Sequence, residues 1–200
     1  MKSFVPKLMS KEDKIKKEVE QRNKSFNGLT ASEWASLSKN VWNDVSSTRG
    51  RKHLEHGATF PEKLANRLIR MYTKEGDLIL DPFLGTGTTL EACRNTNRNG
   101  VGIELNERFI PHALEVTKQT TLQMTIFLKV IQDDCRNLLN HVKEESVQLM
   151  ITSPPYANLI QKSVEDRENT HKTSLIRFEN NSTVSQYSDK KEDFGNLEYP

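Results

Sequence analysis

Two short stretches, DPFLGTGTT at 81–89 and TSPPY at 152–156, hold most of the groups with which this chain could do chemistry. TSPPY follows an apolar run, Val147 to Ile151, that reads as a short buried strand. Proline has no N–H for a sheet ladder, so the strand must stop there. The result is a rigid corner that presents the Ser153 hydroxyl, the carbonyls of Pro154 and Pro155, and the Tyr156 ring. In DPFLGTGTT, Gly85 and Gly87 allow a tight turn and let backbone amides at a helix start approach a ligand. Asp81 ends the strand before it, Phe83 offers an apolar surface, and Thr88 and Thr89 add hydroxyls at the helix N-terminus.

Two further carboxylates fall at strand ends. Glu104 closes a second strand, where it could accept hydrogen bonds from both hydroxyls of a ribose. Asp134 follows a third, placed to meet the edge of an adenine. One surface carboxylate is ordinarily structural or solvated; three ending successive strands of one sheet are harder to dismiss. The chain has no GxxxxGK[ST] phosphate clamp. Leu90 stands where a dinucleotide fingerprint needs a small residue, which demotes a dehydrogenase. A nucleoside site without a phosphate clamp suits S-adenosylmethionine (SAM).

These groups need a scaffold, and the surrounding pattern supplies one. In TFPEKLANRLIRMYTKEGD, Pro61 sits at a plausible first helical position and Glu62 in the first turn. Leu64, Leu68, Met71 and Tyr72 form an apolar stripe, and Gly76 closes the helix. LILDPF reads as a buried strand, GVGIEL and IFLKVI as a second and third, and VQLMIT as the fourth. Helices are expected between them over about 88–95 and 107–119, with a short one in CRNLLNHV. Strands alternating with helices at this spacing imply right-handed crossovers and a doubly wound parallel α/β sheet with helices on both faces. Before the core, residues 1–50 form a polar lead-in with a solvated helix over part of 10–22, and Trp34 and Trp42 are expected to anchor it. The core covers 51–156. Residues 157–200, rich in Asn, Ser, Lys and Glu, read as a long exposed loop, functional or disordered.

Bulk properties narrow the class. At 200 residues the chain can hold one domain with a real core. A hydrophobic fraction of 34% and a mean hydropathy of −0.69 place much of it at the surface. The net charge of +2 permits a nucleic-acid partner without demanding one. Cys93 and Cys135 make neither a disulfide framework nor a metal-ligand spacing and suit a reducing cytoplasm, so no metal is expected. No apolar stretch approaches a membrane span, and the basic start lacks the apolar core of a signal peptide.

FLGTG together with GIEL and TSPPY resembles the signature set of amino-methylating DNA methyltransferases, particularly the cytosine-N4 enzymes of restriction–modification systems. HGATFPEKLANRLI resembles that family's cofactor-covering element and adds Phe60 to the cofactor residues. The resemblance spans about 40–156 and implies a Rossmann-like methyltransferase fold, SAM as cofactor, and double-stranded DNA as substrate. Its chemistry fits the residue types at the corner. An exocyclic amine is a poor nucleophile because its lone pair is delocalised into the ring. Acceptors at Ser153 Oγ and the Pro154 carbonyl would favour a pyramidal nitrogen, with the prolines limiting reorganisation. Tyr156 would stack on a base extruded from the duplex. Neither cysteine follows a proline, which disfavours covalent C5 chemistry, and serine at 153 leans toward cytosine N4 over adenine N6. Family members add further strands and a target-recognition region, so the sheet is expected to be incomplete at its C-terminal end. A fragment, or one half of a split enzyme completed by a second polypeptide, is then expected. The alternatives are an adenine-N6 or RNA-amine enzyme, and a non-catalytic SAM- or DNA-binding remnant.

Overall fold

The computed structural model describes residues 10–45, 60–118 and 125–155. Tyr156 and the loop expected over 157–200 lie outside the described residues. Two helices open the described chain, α1 (Lys11–Lys24) and α2 (Ala31–Leu37). Ser10 caps α1 by accepting from the Asp13 N–H, and a Thr30/Glu33 capping box starts α2. Then come α3 (Glu62–Tyr72), β1 (Leu78–Asp81), α4 (Thr88–Asn95), β2 (Asn99–Glu104) and α5 (Ile110–Lys118). β3 (Leu128–Gln132), a 3₁₀ helix (Cys135–Asn140) and β4 (Leu149–Met150) complete the order.

The four strands are all parallel in the order β3-β2-β1-β4. β1 is therefore internal, and the chain reverses its direction of travel across the sheet between β3 and β4. Among the described residues the two faces are covered unequally. On one, Ile79 packs with Ala65 and Ile69 of α3 and with Ala92 and Cys93 of α4. The same face continues through Leu84, Leu90 and Ala113 of α5 toward Leu128 and Val130 of β3. On the other, Leu80, Val101, Ile103 and Ile131 meet Val142, with Leu138 of the 3₁₀ helix and Val147 alongside. Each fully buried aliphatic side chain contributes roughly 1.5–3 kcal/mol.

Several expected details shift. Pro61 is the N-cap of α3 rather than its first helical residue, and the buried positions are Ala65, Ile69 and Met71. Tyr72 is exposed. Gly76 does not end α3, which stops at Thr73; it lies in the following turn with φ 83°. α5 starts later than 107 because the Asn106 side chain accepts from the Arg108 N–H, holding 107–109 in a turn. β4 is not buried. It keeps only two ladder residues at the sheet edge, and Met150 is 51% exposed. In the lead-in, Trp42 anchors as expected, its ring 5.0 Å from the Arg67 guanidinium of α3. Trp34 instead meets Phe26 edge-on. The deeper anchor is Asn27, buried, whose side-chain amide donates to the Met71 carbonyl at 2.7 Å.

Candidate functional site

The turn after β1 folds over the end of β2. The Leu84 N–H donates to the Ile103 carbonyl at 2.9 Å, while its side chain fills the space beside Gly102. A Cβ at Gly102 would stand 2.5 Å from both Leu84 Cδ atoms, so the second strand needs glycine there for close approach. Gly87 begins α4 at φ 97°, and a Cβ on it would lie 3.0 Å from the Ala113 Cα. Conformation and space both demand glycine at that corner.

Glu104 secures the turn from the next strand. The Gly85 N–H donates to its Oε2 at 2.6 Å and the Asn106 N–H to its Oε1 at 2.7 Å. A carboxylate fixed by two backbone amides is a preorganised acceptor, since each oxygen can accept more than one hydrogen bond. Asp81, 1% exposed, faces inward beneath the turn. It accepts from Thr89 Oγ1 at 2.5 Å and from the Phe83 N–H at 3.0 Å. Burial pushes its carboxyl pKa up, against the pull of Thr89, Phe83 and Thr152. Asp81 thus shapes the turn from below rather than opening into it.

At the start of α4 the amides of the first turn lack helical partners, and the helix dipole favours negative charge there. The Thr88 hydroxyl is buried at this point without a hydrogen-bond partner among the described residues. The Thr152 hydroxyl, at the end of β4, is in the same condition. β4 lies along β1 through Gln148 N–H to the Leu78 carbonyl (2.9 Å) and Ile151 N–H to the Leu80 carbonyl (3.0 Å). Continuing that register sets Ile151 opposite Asp81, and the chain then runs on into Ser153 and Pro154 past the end of β1. Ser153 and Pro155 are half-buried and Pro154 is exposed. The glycine turn and the proline corner thus leave adjacent parallel strands at the same end of the sheet, as their places in the sequence imply.

Asp134 lies near this end but is otherwise engaged. It caps the 3₁₀ helix, and its carboxylate takes the Arg136 N–H (2.9 Å), Nε (3.0 Å) and Nη2 (2.6 Å). That arginine holds its pKa below the ordinary range. The organiser of this loop is Asp133, which the sequence reading passed over. Its Oδ1 accepts from the Asp134 N–H (2.7 Å) and Asn137 Nδ2 (2.8 Å), and its Oδ2 meets His141 Nε2 at 2.6 Å. These donors, His141 foremost, hold the Asp133 carboxyl down to about 2. The Asp133 N–H also donates to the Glu104 carbonyl, joining the ends of β2 and β3. Phe60 packs half-buried against the α3–α4 cluster. Thr152 was the other omission. Period-two alternation gave no signal for it, since beyond the Leu80–Met150 pair it sets residue 152 on the Met150 side, opposite Asp81; its nearness to that carboxylate arises only after the ladder has ended. Among the described residues no cluster of His, Cys, Asp or Glu is arranged to hold a metal, and no helix is long and apolar enough to cross a membrane.

The family profile for the N6/N4 DNA methylases, described as "DNA methylase", matches residues 3–115. Type II methyltransferase M.BglI of Bacillus subtilis is 42% identical over 85 residues, covering 42% of this chain and 24% of that protein. Type II methyltransferase M.BamHI of Bacillus amyloliquefaciens is 35% identical over 109 residues, covering 52% of this chain and 24% of that protein. The matches thus span about a quarter of the length of these curated relatives. Among solved structures, a putative DNA modification methylase from Thermus thermophilus, complexed with S-adenosyl-L-methionine, aligns at 32% identity and a TM-score of 0.41. That alignment covers 56% of this chain and 41% of the other.

Proposed function

The chain belongs to the N6/N4 DNA methylase family, and on that premise we propose that it serves SAM-dependent methylation of double-stranded DNA at the exocyclic N4 amine of cytosine. The modification protects DNA from a cognate restriction endonuclease. One observation carries the proposal. The glycine turn, the amide-held Glu104 carboxylate, the unpartnered Thr88 hydroxyl and the Thr152–Pro155 corner converge on one end of a single sheet. Ligands of open α/β sheets collect at that end, where the strand order reverses.

SAM, when bound, supplies an electrophilic methyl group on a sulfonium. Glu104, oriented by its two amides, would take the ribose hydroxyls. Gly85, Gly87 and Thr88 would meet the amino-acid end at the N-terminus of α4, and Phe60 and Phe83 would cover the apolar parts. Asp81 and Thr89 would keep the turn in shape. Asp134 would reach an adenine edge after exchanging its Arg136 partner. On the β4 side, Ser153 Oγ and the Pro154 carbonyl would accept the N–H groups of the target amine. The proline pair would keep both acceptors in place as charge develops. Tyr156 would stack on the flipped base. The half-covered β4 edge is also where a further strand, from a second polypeptide or a longer chain, would add and complete the base pocket.

Nucleoside analysis of DNA from methylation-deficient cells expressing the gene in its natural context tests this. We expect N4-methylcytosine. N6-methyladenine in its place would overturn the base assignment, and failure of the purified chain to bind SAM would overturn the cofactor reading.

A further inference from the structure

We propose that Thr152 is a positioning residue whose hydroxyl latches the Ser153–Pro155 corner to the cofactor turn through the buried Asp81 carboxylate. The last ladder bond between β4 and β1 is the Ile151 N–H to the Leu80 carbonyl, at 3.0 Å. Beyond it the chain has two backbone donors, at Thr152 and Ser153, and then two prolines with none. The corner that must not move is therefore poorly tethered by its backbone, and a side-chain tie is the remaining means of fixing it. Thr152 is the first residue past the ladder. Its hydroxyl is sealed from solvent and unpartnered, yet close enough to the Asp81 carboxylate to stabilise its charge. Thr152 is β-branched and stiff at χ1, so a small shift of the corner closes or opens this contact.

Asp81 is the right receiver. Its two oxygens already fix the cofactor side, Oδ2 through Thr89 of α4 and Oδ1 through the Phe83 N–H of the turn. A third donor from β4 would make one carboxylate the hinge pin between the cofactor and the amine acceptors. The groups facing Asp81 do not compete for this role. Cys93 of α4 is held neutral, its thiol pushed up to about 12 by burial and by the Asp81 charge itself. The groups that stabilise its charge are Thr89 of α4, the Phe83 amide of the turn and Thr152 at the end of β4. The effect on methyl transfer rests on the functional reading above; the Asp81 link does not.

The two parts are tested separately on the full chain. Carbon-13 NMR of aspartate-labelled protein follows the Asp81 carboxyl, assigned by its loss in Asp81→Asn. Removing a donor disfavours the charged form, so Thr152→Val should lower the Asp81 proton-dissociation constant by about tenfold. Thr152→Ser should leave it as in the wild type. Should the valine variant not fold, Thr152→Ala carries the same comparison. Identical Asp81 titration in the hydroxyl-free and wild-type chains overturns the link. So does a serine variant displaced as far as the valine one. In single-turnover methylation, Thr152→Val should be slower by about tenfold with SAM affinity changed less than about twofold, and Thr152→Ser should restore the rate. Equal rates in wild type and valine variant overturn the positioning role. A carboxyl shift in a wild-type chain that never methylates leaves the Asp81 link standing and removes the functional reading.

Discussion

At the N-terminal end of the sheet a buried guanidinium is surrounded by carbonyls; at the C-terminal end two buried carboxylates are surrounded by amides and hydroxyls. Arg98, 6% exposed, donates through Nε to Thr73 Oγ1 (3.2 Å), through Nη2 to the Thr73 carbonyl (2.8 Å) and through Nη1 to the Thr96 carbonyl. Thr73 and Thr96 are the C-caps of α3 and α4, where the helix dipoles favour a cation. Asn97, at φ 59°, closes α4 with a Schellman pair, Arg98 N–H to Cys93 carbonyl and Asn97 N–H to Arg94 carbonyl. All three guanidinium nitrogens of Arg98 are bonded. At the opposite end, the Thr88 and Thr152 hydroxyls are buried with no partner among the described residues. Among the described residues the Arg98 end is bonded within the chain, while the other end, proposed to hold the ligand, has two hydroxyls that are not. A fully satisfied buried network stabilises, whereas an unsatisfied buried group costs stability; Trp42 Nε1 and Asn66 Oδ1 are also without a partner, away from the strand ends.

The comparison breaks most visibly at Arg98. Arg98→Met strands two helix-terminal carbonyls and should cost on the order of 3 kcal/mol in urea unfolding. The protein that remains folded should bind SAM with unchanged affinity. A parallel loss of SAM affinity would show that the two ends are not independent.

Glu104→Ala acts at the other end and in two ways. It removes the proposed ribose acceptor, weakening SAM binding by about 1–2 kcal/mol by calorimetry. It also releases the Gly85 and Asn106 amides, so the amide of Gly85 should exchange with solvent faster. Faster exchange with unchanged affinity would leave Glu104 a structural residue only.

Thr88→Val sharpens the contrast because the two ends call for opposite outcomes. Exchanging an unpartnered buried hydroxyl for a methyl group of the same shape should leave the ligand-free chain as stable, or stabilise it by up to about 1 kcal/mol. SAM affinity should fall in the same protein. A loss of stability would mean the hydroxyl is satisfied after all.

Acid titration gives the smallest effect and separates neighbours by sign. Asp133 sits at about 2 in the folded chain against an ordinary 3.8. Its partners' contribution is therefore complete above about pH 4 and is lost as pH falls toward 2. Asp81 is shifted upward, so the folded chain holds that proton more tightly than the unfolded one. The cost of its buried charge is present above its folded pKa and is relieved on acidification. Urea midpoints followed from pH 6 to 2 should decline less steeply below pH 4 in Asp133→Asn than in the wild type. An unchanged slope would remove Asp133 as the organiser of its loop.

The sequence carried the elements with local signals best. α4 falls on the expected 88–95 because Gly87 and the paired threonines announce its start. The parallel pairing of the strands follows from their alternation with helices. Features that depend on a neighbour were less legible. The apolar composition of β4 says strand, but burial requires a partner on its far side, and Met150 remains exposed. Adjacent Asp133 and Asp134 look alike in the sequence, and only the 3₁₀ turn decides that one binds the loop and the other Arg136. Thr152 lies within TSPPY, but its nearness to the Asp81 carboxylate of another strand has no signal in the sequence. Glu104 was legible as an acceptor, while its hold on Gly85 required the turn to fold over β2.

The most direct test of the contrast is an amide NMR titration of the 200-residue chain with SAM. Gly85, Gly87, Thr88, Glu104 and Asp134 should move with a common binding curve, while Gly76, Asn97 and Arg98 stay still. Shifts centred on the Arg98 end, or none anywhere at millimolar SAM, would contradict the assignment of the open end of the sheet to the cofactor.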